Sequence, residues 1–277
     1  MQLDQAKFLR EFMSFFNESK HRVAMLASQG TYSPGWPATV LSLREIKTHC
    51  EVCNSRKVCI TIGLADEVMT ALDKTFTSQT RLRRGDTLYR AGDPFSALYA
   101  IRLGSCKTTI LSEDGCEQIT GFHMFGDIIG LDGILSEHHA CEAIALEDAE
   151  VCALPFEDLE NLARTFPPLQ HNLHHLMSRD IGRGQNMMVT LGSRRAQERL
   201  AEFLLSLSDR YERRGYSSTE FVLRMTRKEI GSYLGLKLET VSRLFSSFQK
   251  CGLMTSLGRT VKLLDLPALN HVAHGRT

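Results

Sequence analysis

The stretch "THCEVCNSRKVCI" (48–60) places three thiols within ten residues: Cys50, Cys53 and Cys59, in the spacing C-x2-C-x5-C. Thiolates at such spacing suit zinc or an iron–sulfur cluster. Either commonly takes four ligands, so a fourth has to come from elsewhere in the chain. On these cysteines alone the two metals are equally supported. The first residues are no secretory leader, because Lys7, Arg10 and Glu11 interrupt Phe8, Leu9, Phe12 and Met13. No apolar run approaches the ~18–20 residues that span a bilayer. A cytoplasmic, reducing compartment is expected, in which the eight cysteines serve metal or redox chemistry rather than disulfides.

A second constellation lies near the other end, in "MTRKEIGSYLGLKLETVSRLFSSFQK" (225–250). Thr226 and Glu229 form a capping box that opens a helix running through Leu234. Gly235 supplies a turn, and a second helix starts near Leu238. On that second helix Val241, Leu244, Phe245 and Phe248 share a buried face, while Glu239, Ser242 and Arg243 share the opposite one. A helix-turn-helix recognition helix is built this way, packed behind with base-reading groups in front. Arg243 can donate two hydrogen bonds to guanine O6 and N7, Glu239 can accept from cytosine N4, and Ser242 suits a base edge or a phosphate. "GLMTSLGRTVKLLD" then reads as two short strands around Gly258, a wing. Arg227, Lys228, Lys237 and Arg259 are candidate phosphate contacts. Charge agrees: residues 193–277 hold 15 Lys and Arg against 8 Asp and Glu, whereas the whole chain is nearly neutral at +1. A basic end on an acidic body points to a polyanionic partner.

The elements between must position these groups. A chain of 277 residues can hold two domains with real cores. Residues 1–20 read as an amphipathic helix bearing Phe8, Phe12, Phe15 and Phe16, followed by a Gly/Pro/Ser linker at 28–40. From 77 to 156, short alternating runs punctuated by glycine read as a sandwich or roll. No Gly-rich phosphate loop or strand-turn-helix elbow interrupts them, which argues against a nucleotide-hydrolysing or hydrolase core. From 157 to 192 helical periodicity returns with Leu169, Leu173, Leu176, Met177, Ile181, Met188 and Leu191. A long helix after a roll buries too little alone and finds a second copy. Leu173, Met177, Ile181 and Met188 are the expected dimer contacts, with Gly182 and Gly184 marking a close crossing or a weak spot.

A roll, a long helix and a winged helix-turn-helix, in that order, resemble the cyclic-AMP receptor protein superfamily of transcription regulators. More narrowly, the chain resembles its oxygen-sensing branch, the fumarate and nitrate reduction (FNR) regulators. The resemblance runs from about Cys50 to about Leu269, through "HCEVCNSRKVCI", "GDTLYRAGD", "SALYAIRLGSCK", "EQITGFHMFGDIIGLDGI", "VCALPFEDL", "AQERLAEFLLSLS" and the reader segment. It implies an α+β chain arranged as an N-terminal extension (1–47), a cysteine segment (48–60), a β-roll sensor (61–156), a helical dimerisation segment (157–192), a winged helix-turn-helix (193–270) and a tail (271–277).

The resemblance further implies that Cys152, in "VCALPF", is the fourth ligand, so that Cys50, Cys53, Cys59 and Cys152 hold a [4Fe–4S] cluster. Cys106, Cys116, Cys141 and Cys251 then read as packing residues. It implies a homodimer that binds palindromic TTGAT-N4-ATCAA-like DNA under low oxygen and contacts RNA polymerase, with the loop 110–118 as a candidate contact. The roll is not expected to bind a cyclic nucleotide. Asp127 stands where the nucleotide-binding branch has glutamate, and His139-Ala140 where it has an arginine-containing pair. Where the family tends to place acidic side chains that discourage pairing, "DIGRGQNMM" has Asp180 but Gly184 and Asn186 further along, so dimerisation is expected to depend less on the cluster. One rival keeps the architecture but gates it by haem, nitric oxide or a nucleotide, with zinc or nothing on the cysteines. The other is an enzyme using a metal held by His123, His138 and His139, with His138 and His139 otherwise a surface pair.

Overall fold

The computed structural model describes residues 50, 53–75, 78–111, 115 and 117–275. The amphipathic helix and linker expected within 1–47, and residues 112–114 and 116 of the loop 110–118, lie outside the described residues.

After helix α1 (Asp66–Thr75), strand-length runs alternate between buried and half-exposed positions and pair into two four-stranded antiparallel sheets. One has the order β1 (Ser78–Leu82), β8 (Ala149–Pro155), β3 (Ala97–Leu103), β6 (Ile128–Ile129). The other has the order β2 (Thr87–Tyr89), β7 (Glu142–Ala145), β4 (Ser105–Leu111), β5 (Glu117–Met124). Leu82, Tyr89, Ile101, Cys106, Cys141, Ala143 and Val151 fill the space between them. This is the expected roll.

The helical stretch after it is two elements. Helix α2 (Phe156–Thr165) stops before α3 (Pro167–Ser193). Residues preceding proline avoid the helical region, and Phe166 is extended at φ −120°, ψ 94°. Helix α3 runs 27 residues, about 40 Å, straight through Gly182 and Gly184. Its N-terminal half belongs to the roll: Leu169, Leu173 and Leu176 join Met69, Leu72, Leu98, Leu154 and Leu159 in one core, with Met177 against it.

The C-terminal part contains α4 (Ala196–Glu212), β9 (Glu220–Val222), α5 (Arg227–Leu234), α6 (Leu238–Lys250), β10 (Met254–Leu257), β11 (Thr260–Leu263) and α7 (Leu266–Ala273). Strands β10, β11 and β9 form a three-stranded sheet, so the wing has a third strand that the pattern did not suggest. Helix α7 likewise crosses the expected boundary at 270 and buries Leu269 and Ala273. Ile119, Phe122, Met124 and Leu146 of the roll share a core with Leu204, Leu207, Ile230 and Phe245. Roll and winged helix are thereby packed as one body within the chain.

Candidate functional site

In the cysteine segment, the described residues that follow Cys53 are a succession of tight turns through 63. Backbone N–H groups of Cys53, Arg56 and Cys59 donate to the carbonyls of Cys50, Cys53 and Ser55 at 3.2, 3.0 and 2.9 Å. Three anchors hold it. The Cys50 N–H donates to Asp73 Oδ1 of α1 at 2.7 Å. Buried Ser55 donates through Oγ to the Arg102 carbonyl at 3.0 Å. Asn172 of α3 donates through Nδ2 to the carbonyls of Ile60 and Ile62, at 2.8 and 2.9 Å. The turns are thus sewn to α1, to the roll and to α3.

Cys152 lies on β8, cross-strand from Gln79 on β1 and Ala100 on β3. Cys50, Cys59 and Cys152 all pack on the core shared by the roll and α3. Cys59 and Cys152 lie within electrostatic reach of each other, of Cys50 and of Cys53. Burial first, then Asp73, Cys59 and Cys152, push the Cys50 thiol far up. Burial, then Cys59 and Cys53, push Cys152 up to about 12. Burial pushes Cys59 up to about 11, against which the cation of Arg179 works. Half-buried thiols that mutually oppose ionisation are stabilised as thiolates by a bound cation, and four cysteine sulfurs are the donor set of an iron–sulfur cluster. Among the described residues, no three His, Cys, Asp or Glu side chains gather as they would around a single ion. Four cysteine sulfurs are a donor set that suits an iron–sulfur cluster and zinc alike.

Cys106 and Cys141 are buried in the core between the sheets, and Cys251 is exposed. His123, His138 and His139 do not converge on a metal site. His123 lies 3.1 Å from Thr108 Oγ1, and burial pushes its pKa down to about 4. His138 is exposed. His139 corrects the expectation of a surface pair: it is buried, stacked on Tyr89 with ring centroids 3.7 Å apart and met edge-on by Phe95.

Asp127 is completely buried and faces Arg183, Arg210 and Arg214 at 3.1, 2.7 and 3.0 Å. A cavity of about 420 Å³ remains between the roll and α3, lined in part by Thr108, His123, Asp132, Asp180, Arg183 and Arg210. Its two arginines are already directed at Asp127, and its acids oppose an anion.

At the reader, Thr226 caps α5: its Oγ1 accepts from Glu229 N–H at 3.2 Å, and its own N–H donates to Glu229 Oε2 at 2.7 Å. Gly235 makes the turn at φ 62°, left-handed backbone that glycine adopts without a Cβ penalty. On α6, Val241, Phe245 and Phe248 are buried, while Glu239, Ser242 and Arg243 are exposed together on the other side. Lys228, Lys237 and Arg259 are exposed around them. Arg227 differs: its guanidinium lies over the Phe245 ring, 3.3 Å from the centroid, and donates to Ser256 Oγ at 3.1 Å. It clasps the wing to α6 and is half-buried there.

Two functional groupings escaped the sequence. Arg199 donates to the carbonyls of Leu191, Arg194 and Leu234 at 2.7, 2.9 and 3.0 Å, joining the end of α3 to the end of α5. Lys107 of the roll pairs with Glu117 and with Glu229 of the α5 capping box, at 2.8 and 3.3 Å. Neither had a signal, because the partner that joins one element to the other, Leu234 for Arg199 and Glu229 for Lys107, is remote in sequence. On α3, the expected dimer residues divide: Leu173 is buried in the roll core and Met177 lies against it, while Ile181 and Met188 are 62% and 66% exposed.

Residues 79–166 match the cyclic nucleotide-binding domain family, and residues 198–272 the Crp-like helix-turn-helix domain family. The chain is 47% identical to transcriptional regulatory protein btr of Bordetella pertussis over 81% of its length and 93% of that protein's. It is 42% identical to transcriptional activator protein anr of Pseudomonas aeruginosa, over 83% and 94% of the two chains. It is also 42% identical to the fumarate and nitrate reduction regulatory protein of Escherichia coli, over 81% and 90%. Among solved structures, FixK2 from Bradyrhizobium japonicum matches with TM-score 0.65 and 29% identity, over 70% of this chain and 96% of that one. With its roll, its winged helix-turn-helix and these relatives together, the chain belongs to the FNR branch of the cyclic-AMP receptor protein superfamily of transcription regulators.

Proposed function

We propose that the chain is an oxygen-responsive regulator, and not an enzyme, in which a [4Fe–4S] cluster on Cys50, Cys53, Cys59 and Cys152 governs binding of a homodimer to palindromic DNA. The observation that supports this reading is that half-buried Cys50, Cys59 and Cys152 pack on the one core shared by the roll and α3, with Cys53 within electrostatic reach of Cys59 and Cys152. When bound, the cluster would supply thiolate–iron bonds between that segment and β8 that oxygen can disrupt. With all four thiolates engaged, residues 53–62 stay pressed on the roll and Asn172 keeps its two carbonyl partners. Helix α3 is then held with Ile181 and Met188 outward, ready to pair with a second copy. Paired α3 helices bring two copies of α6 to successive major grooves of a TTGAT-N4-ATCAA-like site, where Glu239, Ser242 and Arg243 face base edges.

Oxygen frees the cysteine segment, loosens α3 and releases DNA. The setting is the cytoplasm, and activation adds a contact with RNA polymerase, for which 110–118 is the candidate loop. The roll acts as scaffold rather than nucleotide receptor, since three arginines are directed at Asp127 and His139 is enclosed by aromatic rings. The test is anaerobic purification with assay of iron and acid-labile sulfide, followed by exposure to air. Iron and sulfide in equal amounts, a brown colour that bleaches, and parallel loss of palindrome binding are expected. A colourless protein with stoichiometric zinc and air-stable DNA binding overturns the reading in favour of a different gate.

A further inference from the structure

The turn 124–127 between β5 and β6 is gripped from two sides. On one side is the cysteine segment: a β-carbon at Gly126 would overlap the Val58 side chain, so only glycine (φ 84°) admits that contact. The turn is locked to β3, with Gly126 N–H donating to the Ile101 carbonyl at 2.7 Å and Ile101 N–H to the Asp127 carbonyl at 2.9 Å. On the other side is the clamp. Asp127 Oδ2 accepts from Arg210 at 2.7 Å and from the Met124 N–H at 3.0 Å. Oδ1 accepts from Arg214 and Arg183, at 3.0 and 3.1 Å. Arg210 and Arg214 also donate to the carbonyls of Phe122 and Phe125, at 2.8 and 2.7 Å, so the end of α4 and the turn after it hold this segment by both its carboxylate and its backbone.

Burial alone would raise the Asp127 pKa, but Arg210, Arg183 and Arg214 overcome it and hold the carboxyl well below the usual range. One fully buried carboxylate thus meets three guanidiniums, Arg183 from α3, Arg210 from α4 and Arg214 from the turn that follows α4. Removing its charge leaves an uncompensated cationic cluster exactly where the reader joins the roll. Helix α4 carries Leu200, Leu204 and Leu207 into the core of the winged helix, so moving α4 moves the reader.

We propose that Asp127 is the positioning residue through which the cysteine segment sets the placement of α3 and α4, and hence of the DNA-reading helix. Val58 reports the state of the segment to Gly126. Asp127 passes it to the two helices whose positions decide pairing and reading. The inference rests on the cluster-gated DNA binding proposed above and names the route that gating takes.

The experiment uses full-length protein, reconstituted anaerobically, and a duplex carrying the TTGAT-N4-ATCAA palindrome. The readout is the ratio of DNA affinities between cluster-loaded protein and its Cys152→Ser counterpart. Asp127→Asn is expected to load iron normally yet to lose that ratio by roughly tenfold or more, a typical allosteric coupling. Val58→Ala, acting from the sensor side, and Arg183→Gln, leaving Asp127 with Arg210 and Arg214, are expected to lose part of it. Should Asp127→Asn fail to fold, those two milder variants carry the test. Variants that load iron and keep the full ratio overturn the proposal. An unsubstituted protein whose ratio is already near one overturns the gating itself, a result distinguishable because it appears before any substitution in the clamp.

Discussion

Single side chains decide which of the chemically capable residues are available. Cys152 and Cys141 are both cysteines of the roll, but Cys152 on β8 lies within electrostatic reach of Cys53 and Cys59, whereas Cys141 lies in the core between the sheets, 3.4 Å from Asp132. Cys152→Ser is therefore expected to abolish bound iron and the visible absorbance, and Cys141→Ser to leave both in place. At the reader, Arg243→Ala is expected to cost about 1–3 kcal/mol on the palindrome and little on random DNA, by titration of both duplexes. Arg227→Ala is expected to act differently, lowering the melting temperature as well, because it removes a cation stacked on Phe245 and a bond to the wing. Arg243 was legible because amphipathic spacing separates a helix's two faces. The packing of Arg227 was not legible because its partners, Phe245 and Ser256, come from other elements.

At the scale of elements, α3 serves two masters along its length. Its apolar stripe reads in sequence as one seam, but Leu169, Leu173 and Leu176 are already buried within one chain. What stays outward is Ile181, Met188 and Val189. Leu173→Ala is expected to destabilise the folded chain by ~2–5 kcal/mol as a core truncation, measured by denaturant unfolding. Ile181→Glu combined with Met188→Glu is expected to leave unfolding of the single chain nearly unchanged and to convert dimer to monomer in sedimentation. A charged pair that still sediments as a dimer would move the seam elsewhere. The same helix shows why its start was unclear: periodicity carries across 157–192, while Pro167 and Pro168 break it after Phe166.

For the whole molecule, the reader is useful only as one of a pair at fixed separation. Two α6 helices reading half-sites about one turn apart demand a matched rotational phase. Inserting about five base pairs between the half-sites is expected to turn one half-site to the opposite face and to reduce binding to that of a lone half-site. Affinity for the intact palindrome is expected to fall steeply with salt, with a log–log slope shared among the phosphate contacts of both copies. Lys228→Ala should flatten that slope across all sequences alike, in contrast to the sequence-selective loss from Arg243→Ala.

Local order was determined by the sequence itself. Alternation marked the roll, the capping box and Gly235 marked the two reader helices, and opposed faces marked Glu239, Ser242 and Arg243. Such signals are legible because the residues that cause them are neighbours along the chain. The cysteine motif was equally plain, but the fourth member proposed for it, Cys152, came from family resemblance, since no local pattern distinguishes Cys152 from Cys141. Tertiary structure alone decided the rest: His139 enclosed rather than exposed, Leu173 spent on the roll, Arg227 spent on the wing, and Asp127 joined to arginines 56 to 87 residues away. Burial and ion pairing at that distance depend on how sheets and helices stack, and two residues of the same type with the same neighbours in sequence can meet opposite surroundings once they do.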